Sequence, residues 1–131
     1  MVFAIRAIIE VLGFPEEHVR EVTEKVIENL KKEEGINIIK DQINKTEKVK
    51  EKFFSCFVEV EMKIHDFNKL IGFCYNYMPS SLEILDAEKL TIPVRELTFG
   101  LNEMLDKFHQ YNILTTNLTN KLKQLEKQKP Q

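Results

Sequence analysis

The chain has no tryptophan, two cysteines, four glycines and four prolines among its 131 residues, and each shortage removes a class of protein. Cys56 and Cys74 match no zinc-ligand spacing and no disulfide-dense secreted pattern, so a reducing interior is expected and both thiols read as small buried hydrophobes. The glycines are scattered, and none follows a strand as a phosphate-cradling loop requires. No apolar run approaches the length that spans a bilayer. The N-terminal VFAIRAIIEVL is interrupted by Arg6 and Glu10 and lacks the basic leader and small-residue cleavage site of a signal peptide. A cytoplasmic protein with no membrane partner is the expectation, and the Asn-x-Thr sequons at Asn44 and Asn117 are then chance. A formal charge of −2 gives no global basic field to draw nucleic acid; only the stretch from Lys121 to Lys129 is locally basic.

What is present is an ordinary globular composition, 43% hydrophobic and 31% charged, long enough to bury one core unaided. Residues 2–12 alternate as a strand, with Phe3, Ile5, Ala7, Ile9 and Val11 on one side. Gly13 ends it. Pro15, Glu16 and Glu17 suit a helix N-terminus, and Val19, Val22, Val26 and Leu30 then form one helical stripe, closed by Lys31, Lys32 and Gly35. INIIKDQI at 36–43 returns to strand character, and the charged NKTEKVKEK at 44–52 reads as the outer end of a hairpin. In FFSCFVEVEMKI at 53–64 the even positions are all apolar, whereas the odd ones mix Phe53 and Phe57 with Ser55, Glu59, Glu61 and Lys63. Asp66 is placed to cap a second helix with Phe67, Leu70, Ile71, Cys74 and Met78 on one stripe. Pro79 stops it, and SLEIL at 81–85 is a last strand.

Strand, helix, strand, strand, helix, strand, joined by right-handed crossovers, predicts an α+β fold: a ferredoxin-like βαββαβ sandwich over residues 1–91, with both helices on one sheet face. Beyond it the apolar beat runs Val94, Leu97, Leu101, Met104, Phe108, Tyr111, Thr115, Leu118, Leu122, Leu125, alternating three and four residues. This predicts a long C-terminal helix over 92–127 with a coiled-coil-like distal half, followed by a disordered tail at 128–131. Such a helix is roughly 50 Å long, against roughly 30 Å for the domain's diameter. Its first turns, with Val94, Leu97, Phe99 and Leu101, are expected to cover the sheet's second face at Ile8, Ile39 and Phe57, and Gly100 marks a close approach to the sheet or a kink. The remainder needs a partner helix, and a second copy of the chain supplies one most simply; a different protein's helix is the alternative. Phe108, Tyr111, Leu118, Leu122 and Leu125 are the expected contact residues.

Catalytic machinery is not evident, and no enzyme, cofactor or metal is expected. His18 beside Glu16 and Glu17 fits a solvated helix face, and His65 fits a strand end. Glu103, Asp106 and His109 are spaced by three, but charged helices commonly contain such triples. RNA-recognition domains share the topology, and KFFSCFVEV at 52–60 loosely matches their aromatic strand. Here no glycine follows Lys52, and Glu59 and Glu61 share the face with Phe57, which disfavours phosphate. A small-molecule-sensing domain of the ACT type is a further alternative, by topology and pairing alone.

The block FFSCFVEVEMKIHDFNKLIGFCYNYMPSSLEILDAEKL at 53–90 resembles a group of small archaeal proteins of this topology with no assigned function. The resemblance implies a prokaryotic α+β protein and carries over no site residue. The expectation is a non-catalytic interaction module that self-associates through its C-terminal helix.

Overall fold

Apolar residues buried at every second position from Phe3 to Ile9 mark the first element of the computed structural model, which describes residues 1–128: the strand β1 (Val2–Gly13). It is followed by α1 (Glu16–Lys32), β2 (Ile36–Ile43), β3 (Glu47–Lys50), β4 (Phe53–His65), α2 (Phe67–Tyr77), β5 (Ser81–Ile84) and α3 (Val94–Lys127). Every strand pairing is antiparallel, in the order β2-β4-β1-β5, with β3 beside the start of β4. The molecule is thus an α+β protein with a five-stranded antiparallel sheet and a long C-terminal helix.

The paired centre explains the core. β1 and β4 register Phe3 against Ile64, Ile5 against Met62, Ala7 against Val60 and Ile9 against Val58, and all eight side chains are buried. On that face α1 adds Val19, Thr23, Ile27 and Leu30, and α2 adds Phe67, Leu70 and Phe73. The stripe on α1 is therefore rotated from the expected one, with Val22 and Val26 at its margin. Thr23 tolerates burial because its hydroxyl donates to the Val19 carbonyl at 2.7 Å, leaving no unpaired polar group. On α2 the buried set includes Phe73, which the single expected stripe omitted, while Met78 takes a left-handed conformation as the exposed C-cap.

The charged run at 44–52 is not only a hairpin end: it contains β3, whose Glu47 and Lys48 pair with Ser55 and Phe54. The last strand stops at Ile84, one residue early, although the Leu85 amide still donates to the Ala4 carbonyl at 2.7 Å. Gln128, expected in the disordered tail, caps α3 through its amide; the expectation for residues 129–131 lies outside the described residues.

The second sheet face departs most from the sequence expectation. Among the described residues α3 makes no extensive contact with any strand; it packs on α2. The face it leaves open centres on Arg6, whose guanidinium meets Glu61 at 2.9 Å, Glu83 at 3.3 Å and Glu59 at 3.6 Å. Covering that cluster with an apolar helix would strip water from four charges, whereas α2 offers a second apolar side. Phe57 remains 36% exposed beside these acids. Phe53 instead packs edge-on against Phe14, with ring centroids 5.4 Å apart.

Candidate interaction surface

The surface is built where α3 docks on α2, and two side chains set the docking angle. Asp66 accepts the Lys69 amide at 2.9 Å, the expected cap of α2. Glu96, in the first turn of α3, accepts the Phe67 amide at 3.3 Å and places a second carboxylate at the same helix N-terminus, where the macrodipole favours it. The start of α3 is thereby tied to the start of α2.

Gly100 permits the close approach. It is the buried residue of α3, and a Cβ there would overlap the Phe67 ring, with Phe67 Cδ2 only 2.6 Å away. The approach is made to α2 rather than to the sheet. One turn further along each helix, Ile71, Cys74 and Tyr75 face Met104, Phe108 and Tyr111 across an open, almost wholly apolar groove of about 230 Å³. The Tyr111 hydroxyl donates to the Tyr75 carbonyl at 3.2 Å, and the Lys107 ammonium lies 4.9 Å from the Tyr75 ring centroid. Cys74 therefore sits between the core and α3, and burial pushes its thiol pKa up, which suppresses the thiolate. Cys56 is fully buried and donates to the Asn44 carbonyl at 3.2 Å.

The expected contact residues divide into two groups. Phe108 and Tyr111 line the groove beside α2 and are only partly covered. Leu118, Leu122 and Leu125 lie beyond the reach of α2 and are 54%, 61% and 52% exposed. Tyr111 is the last α3 residue held to α2 by a hydrogen bond. Leu105 and Leu114, exposed on either flank of the seam, were not singled out from the sequence. Extending the heptad to its flanking positions would have found them.

The remaining candidates lie away from this groove. Glu103, Asp106 and His109 border a shallow depression on the side of α3 away from α2, with no metal-holding group of His, Cys, Asp or Glu among the described residues. His18 is exposed on α1, and His65 is exposed at the end of β4, within 3.2 Å of the Asn37 amide nitrogen.

An antiparallel sheet with helices on its apolar face and a projecting C-terminal helix defines the class of this α+β protein, and no described helix is long and apolar enough to cross a membrane. The chain belongs to the MJ0538 family, whose model matches residues 4–130. The family name refers to a Methanocaldococcus protein, which fits the resemblance to small archaeal proteins seen at 53–90. No curated protein and no solved structure matches the chain significantly.

Proposed function

We propose that this is a non-catalytic interaction module that self-associates through α3. The carrying observation is the seam at Leu118, Leu122 and Leu125, which continues the stripe docked on α2 but is half-exposed in the isolated chain. Covering each of these leucines contributes on the order of 1 kcal/mol, so a helix laid along the seam gains several. An identical helix carries the same stripe and needs no other partner.

With β3 set aside as an added hairpin strand, the order β2-β4-β1-β5 and two helices on one face support a ferredoxin-like split βαβ sandwich. The open face speaks against RNA as the partner, because Arg6 is engaged by Glu59, Glu61 and Glu83 and no aromatic platform is free of acids. The test is sedimentation velocity of the full chain and of Leu118→Glu/Leu122→Glu. The native chain is expected to associate as its concentration rises, and the double variant to raise the dissociation constant on the order of a hundredfold or more. Equal behaviour of the two proteins would contradict the proposal.

A further inference from the structure

The seam of α3 follows a heptad in which Val94, Leu101, Phe108, Thr115 and Leu122 alternate with Leu97, Met104, Tyr111, Leu118 and Leu125. Charges flanking such a seam decide how two helices orient. One flank carries Gly100, Lys107, Leu114 and Lys121; the other carries Thr98, Leu105, Asn112, Thr119 and Glu126. The first flank lies toward α2, since Gly100 meets Phe67 and Lys107 meets the Tyr75 ring.

Resting on the self-association reading above, we infer that two copies pair α3 with α3 in parallel and in register, each covering the other's α2–α3 groove. In a parallel pair the first flank of one helix meets the second flank of the other, about five residues further on. Lys121 then faces Glu126 of the second copy, twice by symmetry. Leu105 of the second copy then lies on the α2 side of the seam, toward the groove lined by Ile71, Cys74, Met104 and Phe108, while Gly100 stays covered by Phe67.

An antiparallel pair brings like flanks together instead. With Phe108 opposite Leu118 of the second copy, Lys107 falls opposite Lys121, again twice, and Leu105 meets Thr119. Two opposite-charge contacts against two like-charge contacts favour the parallel arrangement. That arrangement also gives the exposed Leu105 an apolar neighbour on α2. The groove and the distal seam are thus one surface, with a second copy of this chain as its occupant.

Charge exchange in the full chain tests the orientation. Parallel pairing requires Lys121→Glu to weaken the dimer several-fold, because the introduced carboxylate then faces Glu126, and Lys121→Glu/Glu126→Lys to restore it. Antiparallel pairing requires Lys121→Glu to tighten the dimer, because the new acid faces Lys107. A spin label at Gln124→Cys in a Cys74→Ala background gives an independent readout. Parallel helices with axes about 10 Å apart hold the two labels roughly 20 Å from one another. Antiparallel helices crossing near residue 113 hold them roughly 35 Å apart, at about 1.5 Å per residue. A dimer tightened by Lys121→Glu, with the long distance, overturns the orientation and leaves self-association standing. A monomer at every concentration overturns both.

Discussion

Two single residues carry much of the architecture, and each can be tested alone. Gly100 would ordinarily be improved by alanine, which gains on the order of 1 kcal/mol in helix propensity. Here the added methyl meets the buried Phe67 ring, and crowding of this kind costs about 1–3 kcal/mol. Gly100→Ala is therefore expected to lower the urea midpoint, and a raised midpoint would show that α3 does not dock through this position. Tyr77, stacked on Phe73, has its phenol pushed up to about 12, first by burial and then by the hydrogen bond to Glu33 at 3.1 Å. A phenol whose folded pKa lies above its unfolded value of 10.0 contributes stability that is full below pH 10 and lost as the pH rises toward 12. Absorbance titration should show Tyr77 ionising late, and Tyr77→Phe should remove that late step. The open sheet face has a comparable tie: Arg6 is held above its ordinary pKa by the hydrogen bond to Glu61, opposed by desolvation and supported by the charges of Glu61, Glu83 and Glu59.

Elements, rather than residues, decide where α3 goes. α2 is apolar on two sides: Phe67, Leu70 and Phe73 enter the core, while Ile71, Cys74 and Tyr75 face α3. Ending the chain after Asn112 keeps Gly100, Met104 and the Tyr111 hydrogen bond, so the shortened protein should retain a cooperative thermal transition and lose concentration-dependent association. Loss of the transition would mean that distal α3 stabilises its own domain. The strands and helices were largely legible, because period-two burial in β1 and β4 and the caps at Pro15 and Asp66 are local signals. β3 was not, since Glu47–Lys50 is exposed throughout and carries no hydrophobic alternation. The docking of α3 was misread for a related reason. Folding Ile71 and Cys74 into the same stripe as Phe67 and Leu70 hid the second apolar side of α2, and the sheet then became the apparent dock. Glu59 and Glu61, opposite Ile8 and Arg6 in the register, already argued against that assignment.

At the scale of the whole molecule, a helix of 34 residues, roughly 50 Å long, is joined to a sheet domain that holds only its first half. The second half offers Leu118, Leu122 and Leu125 to water in the single chain, and a soluble monomer gains nothing from that exposure. The heptad alone puts the expected contact residues on one helix and one side, whereas the groove they continue into is visible only with α2 in position. Sedimentation equilibrium of the full chain over a wide concentration range tests this most directly. Self-association through α3 requires the weight-average mass to climb from 15.4 kDa toward twice that value, and a mass that stays at the monomer value at the highest concentration would contradict it.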